Sequence, residues 1–260
     1  MTPLDVDALL LDIDGVLVTS WRALPGSVGA IAALRRADVP FRLLTNTTAH
    51  TRLGLAETLR EAGFDFGPDE IVTAVTATAS HLRSHHAGAK VYVLSDGDPT
   101  DDLVGVELVD ADEADVVVLG GGCEDFSYEA MNRVFRRLND GAAFVAMHRN
   151  LYWRTSEGLQ LDGGAFIAAL ESASGVTPAV CGKPSLAYFG AALGMLGVSP
   201  DRAAMIGDDI VNDVVGAQDA GLTGVLVRTG KFQPSDLDRG TADVVVGSLA
   251  DVPALLGLGD

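Results

Sequence analysis

The stretch Leu9-Leu10-Leu11-Asp12-Ile13-Asp14-Gly15-Val16-Leu17 decides the fold, because an apolar run leads directly into two carboxylates and a glycine. A run of this length is typical of a buried strand, and Asp12 and Asp14 point to the same side if the strand stays regular there. Two like charges buried together are costly unless a cation lies beside them, and Gly15 permits a sharp turn just past the acids. The stretch therefore predicts a strand that ends in a cation site; a strand that ends in an ordinary polar turn is the alternative.

Composition limits the partners of the chain. Its 260 residues suffice for one large domain or two unequal ones, and its formal charge of −18 argues against nucleic acid or an anionic membrane, because both would be repelled. An anionic substrate then requires a local positive site. The first apolar run follows acidic residues instead of a basic segment, no apolar run reaches membrane-spanning length, and Cys123 and Cys181 lie far apart. We therefore expect a cytoplasmic protein with reduced thiols and no membrane partner.

Strand and helix patterns alternate along the chain, which is typical of a parallel sheet. Toward the N-terminus the patterns predict a helix over 27–37, a strand over 41–44 and a helix over 52–62, and toward the C-terminus they predict strands over 203–206, 225–227 and 244–246. The middle repeats the alternation, with helices predicted over 74–86, 128–138 and 165–174 and strands over 91–94, 116–119 and 143–146. The sequence thus predicts an α/β protein whose middle segment is an insertion with its own α/β structure.

Four polar clusters follow predicted strands or lie beside one: Asp12 with Asp14, Thr45 with Asn46, Lys183, and Asp208 with Asp213. In open α/β sheets the crevice at the carboxyl ends of the strands is where ligands bind, so we expect these clusters to converge. Several carboxylates and one lysine suit a hard divalent cation together with an anionic group. Mg²⁺ prefers oxygen ligands and typically takes one or two carboxylates plus phosphate oxygens.

On these motifs the chain resembles the haloacid dehalogenase (HAD) superfamily, in particular its class IIA phosphatases with a C2-type cap. The resemblance rests on four motifs in order: Asp12-Ile13-Asp14-Gly15, Leu44-Thr45-Asn46-Thr47-Thr48, Gly182-Lys183-Pro184, and Gly207-Asp208-Asp209 with Asp213. It implies a Rossmann-like core with a parallel sheet and an inserted α/β cap domain. The interval between the second and third motifs is long enough for a domain, so we expect the core over 1–74 and 181–260 and the cap over 75–180.

The resemblance also implies a reaction, which is the Mg²⁺-dependent hydrolysis of small phosphorylated metabolites. Asp12 would be the nucleophile that forms an aspartyl-phosphate, and Asp14 would act as general acid and base. The Mg²⁺ would be held by Asp12, by the backbone carbonyl of Asp14 and by Asp208, with Asp213 orienting its water ligands. The resemblance further implies a homodimer formed through the cap.

Substrate contacts are implied in both predicted domains. Thr45 and Asn46 would donate hydrogen bonds to the phosphoryl oxygens, and Lys183 would offset negative charge there, which gives an acidic protein its local positive site. In the cap, His148 and Arg149 follow a predicted strand and are candidates for contact with the leaving group. A solvated turn explains these two residues equally well.

Several alternatives stay open at this point. A dehalogenase of the same superfamily is one, although that chemistry needs no acid at the position of Asp14. A binding or scaffold protein with a catalytically retired site is another, and the intact set of Asp12, Asp14, Lys183 and Asp208 argues against it. Asp209 either faces the metal or caps the helix that follows.

Overall fold

The computed structural model describes residues 4–155 and 158–258. Its strands follow in chain order: β1 (Ala8–Asp12), β2 (Val18–Thr19), β3 (Arg22–Ala23), β4 (Phe41–Thr45), β5 (Ile71–Thr73), β6 (Lys90–Leu94), β7 (Glu107–Leu108), β8 (Val116–Leu119), β9 (Ala143–Ala146), β10 (Tyr152–Thr155), β11 (Gly158–Leu161), β12 (Ala179–Val180), β13 (Ala203–Gly207), β14 (Thr223–Val227) and β15 (Val244–Val246). The α-helices are α1 (Ser27–Arg36), α2 (Arg52–Glu61), α3 (Ala74–His85), α4 (Tyr128–Asn139), α5 (Gly163–Ser174), α6 (Leu186–Leu196), α7 (Gly216–Asp219) and α8 (Val252–Leu255). A π-helical segment, Ile210–Val215, leads directly into α7.

The chain divides into two compact units. The first unit contains the described part of Met1–Thr45, then Arg52–Val72, then the described part of Lys183–Asp260. The second unit contains Asn46–Thr51 and Thr73–Gly182. The chain therefore passes between the units after Thr45, after Val72 and after Gly182, besides the return at Arg52. Within the described residues, no helix combines the length and apolar character that a membrane span requires.

The first unit is built on a six-stranded sheet with the order β15-β14-β13-β1-β4-β5. Within this sheet β4 pairs with β1, β1 with β13, β13 with β14 and β14 with β15, and these four pairings are parallel. Leu11 of β1 lies opposite Leu43 of β4 on one side and Ile206 of β13 on the other. Every residue of β1 is buried, as expected for a central strand whose two faces are both covered. The carboxyl ends of β1, β4 and β13 consequently lie side by side at one edge of the sheet.

Helix packing against that sheet follows the sequence pattern. In α1 the buried residues Ala30, Ile31 and Leu34 recur at helical spacing and join the core around Leu9 and Leu11. The helix begins after Gly26, which adopts the left-handed conformation with φ of +80°. The spacing of the apolar residues therefore accounts for the face that the helix buries, and Gly26 marks where the helix begins.

The second unit has its own five-stranded sheet, with the order β12-β9-β8-β6-β7 and parallel pairing throughout. All four residues of β8 are buried. Val118 and Val145 belong to one apolar cluster of the unit, and Leu119 and Ala146 belong to another. The hairpin of β10 and β11 forms a separate two-stranded sheet. The predicted α/β class, with a parallel sheet and an inserted α/β segment, is confirmed.

Two local expectations differ from the structure. The sequence did not predict the short strands β5, β7 and β12 or the hairpin of β10 and β11, because runs of two to four residues carry too little periodicity. The regular part of β1 ends at Asp12, and Asp14 lies in the turn beyond it, bridged to Val18. The condition under which Asp12 and Asp14 would share one face, a strand that stays regular through Asp14, is therefore not met.

Candidate active site

Three of the predicted site residues are placed by the ends of neighbouring parallel strands. Asp12 is the last residue of β1 and lies opposite Leu44 of β4, so the next residue along β4 is Thr45. Asp208 immediately follows Gly207, the last residue of β13. Because β1 lies between β4 and β13 in the sheet, the three side chains start from adjacent strand ends.

Lys183 connects two carboxylates inside the first unit. Its Nζ lies 2.7 Å from Asp12 Oδ1 and 2.7 Å from Asp213 Oδ1, and 3.4 Å from the backbone oxygen of Leu44. The lysine, Asp12 and Asp213 are all at most 5% exposed. An ammonium group buried this deeply is tolerated because its positive charge is paired twice.

Asp208 is held in a narrow cradle formed by two glycines. Its Oδ2 accepts the backbone N–H of Lys231 at 2.7 Å. A Cβ atom built on Gly15 would lie 2.1 Å from that oxygen, and one built on Gly230 would lie 2.0 Å from it. Both glycines also have positive φ, of +80° and +64° respectively. The backbone can approach the carboxylate this closely because neither position carries a side chain.

Asp213 reaches the site through the π-helical turn that follows β13. The N–H of Val214 donates to the carbonyl of Asp209, five residues earlier, at 3.2 Å. Asp213 Oδ2 accepts the N–H of Asp209 at 3.1 Å, and a Cβ on Gly207 would lie 2.2 Å from the Asp213 Cβ. π-helical turns are frequent at functional sites, and this one sets the Asp213 carboxylate against the end of β13.

The three buried carboxylates fit a divalent cation. One oxygen each from Asp12, Asp208 and Asp213 lies within 4.8 Å of the others, and Asp208 Oδ1 is a buried atom without a hydrogen-bond donor among the described residues. Asp12, Asp208 and Asp213 outnumber the two lysines beside them, Lys183 and Lys231, so the group carries an excess of acidic side chains. The donors are all oxygens, the type that Mg²⁺ prefers.

The electrostatics of the protein alone point the same way. Burial raises the pKa of Asp208 well above its usual range, and burial, together with the neighbouring Asp12 charge, raises the pKa of Asp213 to about 6. Burial works against the charged form of Lys183, but Asp12 and Asp213 outweigh it and raise the pKa of the ammonium. Lys183 therefore stays charged. The raised pKa values of Asp208 and Asp213 mean that additional positive charge nearby would stabilise their ionised forms.

Asp14 has a different environment from Asp12. Its residue surface is exposed, and it does not belong to the three-carboxylate group. The protein packed behind it still desolvates the carboxyl and raises the pKa of Asp14, with Lys183 and Lys231 opposing that shift. Solvent access from one side together with desolvation from the other suits a group that exchanges protons with water or substrate.

Asp209 caps the helix that follows, as one of the two sequence alternatives predicted. Its Oδ1 accepts the N–H groups of Val211 and Asn212 at 2.9 and 3.0 Å. Its Oδ2 lies 3.0 Å from Nζ of Lys231, whose Nζ is also 4.0 Å from Asp208 Oδ1. Lys231 is therefore a second cation beside the site that sequence reasoning missed, although lysine is rare enough in this chain to have drawn attention.

Thr45 is buried at the end of β4, and its backbone is held by a tyrosine that sequence reasoning also missed. Its N–H donates to the hydroxyl of Tyr188 at 3.2 Å. Asn46, the next residue, falls in the second unit, where the position of a Cβ on Gly182 would be 2.5 Å from Asn46 Oδ1. Thr45 is thus the last residue of β4, and Asn46 begins the Asn46–Thr51 segment of the second unit.

His148 and Arg149 lie in the second unit. His148 is 2% exposed, with Nδ1 accepting the N–H of Asn150 at 3.2 Å and Nε2 lying 3.9 Å from Asp162 Oδ1. The alternative of a solvated turn is therefore wrong for His148, because its ring fills a buried position. Arg149 is partly exposed and pairs closely with Glu171.

Two protein-family models match the parts of the chain that contain the four motifs. A family model described as "Haloacid dehalogenase-like hydrolase" matches residues 9–108, and a HAD-hydrolase-like model matches residues 180–252. Human haloacid dehalogenase-like hydrolase domain-containing protein 2 is 40% identical over 89% of this chain and 88% of its own length. These matches confirm the resemblance that rests on the four motifs.

Solved structures give the same result for the fold. A p-nitrophenyl phosphatase from Archaeoglobus fulgidus is 31% identical, with a TM-score of 0.90 over 96% of this chain and 100% of that one. A glycerol phosphate phosphatase from Mycobacterium tuberculosis, in complex with magnesium, is 25% identical, with a TM-score of 0.86 over 97% of this chain and 79% of that one. The likeness therefore extends over both units of the chain.

Proposed function

Because this chain belongs to the haloacid dehalogenase-like hydrolase family and is a phosphoric monoester hydrolase, we propose that it cleaves small phosphorylated metabolites through an aspartyl-phosphate on Asp12. The observation that carries the proposal is the Asp12 carboxylate, buried at a strand end, 2.7 Å from Lys183 and grouped with Asp208 and Asp213. A carboxylate so placed has its charge offset, which lets it approach an anionic phosphate.

In the first step an oxygen of Asp12 attacks phosphorus. Asp12 Oδ1 is engaged by Lys183 and by the N–H of Ile13 at 2.9 Å, so we assign the attack to Oδ2. The new Oδ2–P bond forms as the bond from phosphorus to the leaving oxygen breaks, and Asp14 donates the proton that the leaving oxygen takes up.

In the second step water attacks the phosphorus of the aspartyl-phosphate. Asp14, now ionised, accepts a proton from that water, and the Oδ2–P bond breaks to release inorganic phosphate and restore Asp12. Lys183, Thr45 and Asn46 hold the phosphoryl oxygens during both steps. Since Asp14 gives a proton in the first step and regains one in the second, the enzyme returns to its starting state.

Mg²⁺ is the cofactor that we propose for this site. Asp12, Asp208 and the backbone carbonyl of Asp14 would bind it directly, and Asp213 would orient its water ligands. When bound, it neutralises charge on the phosphoryl group and the carboxylates. The orphaned Asp208 Oδ1 and the excess negative charge of the carboxylate group support this assignment.

We also propose that residues 75–180 form a C2-type cap and that 1–74 with 181–260 form the catalytic core. The second compact unit, with its own sheet, supports that division, and it additionally contains Asn46–Thr51. His148 and Arg149 would then contact the leaving group.

A homodimer formed through this unit is also part of the proposal. The exposed side chains of Tyr152 and Leu161 in the hairpin support it, and a monomer in light scattering would overturn it.

Hydrolysis of 4-nitrophenyl phosphate by the purified protein tests the reaction. We expect Mg²⁺-dependent phosphate release that EDTA abolishes, and a loss of about 10⁴-fold or more in kcat for Asp12→Asn. Asp7→Asn is the matched control, because Asp7 is an exposed acid just before β1 that pairs with Arg202 at 2.8 Å. Mass spectrometry of acid-quenched enzyme should find phosphate on the peptide containing Asp12. Undiminished turnover by Asp12→Asn would refute the mechanism.

A further inference from the structure

Tyr188 places one hydroxyl group between the ends of two strands of the first unit. The residue lies in α6 and is 1% exposed. Its Oη lies 2.7 Å from the carbonyl oxygen of Val72 and 2.9 Å from that of Thr45, and it accepts the N–H of Thr45 at 3.2 Å. Thr45 ends β4, and Val72 belongs to β5, the neighbouring strand.

The hydroxyl can satisfy both strands because a phenol both donates and accepts. Its single proton serves the two carbonyl oxygens, with the shorter distance to Val72, while an oxygen lone pair accepts from Thr45. Thr45 and Val72 are also the residues after which the chain passes from the first unit to the second. The Tyr188 side chain therefore holds the backbone of the first unit at both points where the chain passes from that unit to the second.

The end of β4 is held from a second direction by Lys183. The lysine Nζ lies 3.4 Å from the carbonyl oxygen of Leu44, the residue before Thr45. Lys183 and Tyr188 come from the same segment, since Lys183 precedes α6 closely in sequence. The segment thus contacts two successive residues of β4, through an ammonium on Leu44 and a hydroxyl on Thr45.

We propose that Tyr188 is a positioning residue for phosphoryl transfer, whose hydroxyl fixes the Thr45 backbone so that Thr45 and Lys183 address the same phosphoryl group. The inference rests on the proposed function, because it gives the end of β4 the task of binding phosphate. Displacing a group that positions a substrate by a fraction of an ångström lowers the rate without removing any catalytic atom. Tyr188 itself touches neither substrate nor metal in this scheme.

A purely structural hydroxyl is the competing explanation, since buried carbonyl and N–H groups need partners wherever they occur. The two explanations differ in what Tyr188→Phe changes. A structural role affects the melting temperature and the folded fraction, whereas a positioning role also affects kcat per folded molecule and the binding of phosphate.

The test compares Tyr188→Phe with Leu193→Ala, which removes a buried apolar side chain from the same helix and should lower the melting temperature at least as much. We expect Tyr188→Phe to lower kcat for 4-nitrophenyl phosphate by about tenfold, with inhibition by inorganic phosphate weakened by a similar factor. Leu193→Ala should keep both quantities near wild type. Hydrogen exchange at peptides containing Thr45 should quicken in Tyr188→Phe alone.

Four outcomes would go against these claims, and they are distinguishable. Wild-type turnover and phosphate inhibition constants retained in folded Tyr188→Phe would overturn the positioning role. So would equal losses in both variants, because stability would then explain them. A wild-type protein that releases no phosphate would refute the proposed function. Unchanged hydrogen exchange at Thr45 in Tyr188→Phe would separately show that the Tyr188 hydroxyl does not fix the Thr45 backbone.

Discussion

Buried carboxylates occur in both units, but they bind different partners. In the first unit, Asp12 and Asp213 face the Lys183 ammonium at 2.7 Å. In the second unit, Asp162 Oδ1 accepts the backbone N–H groups of Gly122 and Gly163 at 3.0 and 2.7 Å. Buried carboxylates thus belong to a charged group in the first unit, whereas in the second unit Asp162 holds the backbone of a loop.

The difference shows what makes a group of buried carboxylates a candidate site. A carboxylate that accepts several backbone N–H groups has its charge satisfied by the fold itself. Asp208 uses one oxygen for the N–H of Lys231 and leaves the other, Oδ1, without a hydrogen-bond donor among the described residues. Unsatisfied charge, rather than the presence of acidic residues, therefore distinguishes the first unit from the second.

The largest effect on turnover in this comparison is expected from the lysines. Lys183→Met should lower kcat by about 10²–10³-fold, because it removes a cation from the reacting groups, and it should also lower the melting temperature, because Asp12 and Asp213 lose their shared partner. Lys231→Met should cost about tenfold or less, since the Lys231 side chain is 52% exposed and reaches Asp208 only at 4.0 Å.

Lys90→Met is the control for these variants, because Lys90 is a partly exposed lysine of the second unit that pairs with Glu113 at 3.4 Å. Steady-state kinetics per folded molecule, with thermal melts, would measure all three. Equal activity of Lys183→Met and Lys90→Met would show that the buried lysine has no special part in the reaction.

A smaller effect, confined to substrate choice, is expected from the second unit. Arg149→Ala and His148→Gln should change kcat/KM for phosphate esters with bulky polar leaving groups by about threefold to tenfold, the value of one hydrogen bond, relative to 4-nitrophenyl phosphate. Arg133→Ala, which breaks a comparable partly exposed ion pair with Asp112 at 3.3 Å, should leave that ratio unchanged. The proposed contact with the leaving group fails if all three variants keep the wild-type ratio.

The smallest effect on turnover is expected at Cys181, a buried free thiol of the second unit. Burial raises the pKa of Cys181 to about 11 from its ordinary value near 9, with a hydrogen bond to Thr78 opposing the shift. The thiol is therefore neutral in the folded protein at pH 8, and iodoacetamide should label the half-buried Cys123 first without loss of activity.

The same shift has a consequence for stability with a definite sign. The unfolded chain ionises this thiol near pH 9 and the folded chain only near pH 11, so the favourable contribution is complete below pH 9 and is lost as the pH rises toward 11. Labelling of Cys181 should accelerate over that interval. Rapid labelling at pH 7 in folded protein would show that the thiol is not shielded.

Much of the first unit was predictable because its signals are local. An apolar run ending in Asp12, and the acids and lysine that follow later strands, predict both the sheet and the residues of the candidate site. Topology then does the rest, since parallel strands bring their carboxyl ends to one edge. The class and order of the elements therefore followed from periodicity and from the position of polar residues alone.

What could not be predicted depends on contacts between distant parts of the chain. Tyr188 lies in an apolar helix, and nothing local indicates that its hydroxyl meets Thr45, 143 positions away. Lys231 lies beside the site because Gly230 brings the backbone against Asp208, a contact that no local pattern indicates. Because His148 follows a predicted strand, the sequence predicts either a ligand contact or a solvated turn there, whereas its ring is buried.

The glycine cradle around Asp208 has a consequence for how variants of this protein are interpreted. Alanine at Gly15 or Gly230 would place a methyl group about 2 Å from a carboxylate oxygen, so the carboxylate would have to leave its position. Every acidic residue and every lysine of the site would still be present in such a sequence. A survey that scores variants or genomes by charged motif residues alone would count these proteins as intact enzymes, although the Asp208 carboxylate could not keep its position in them.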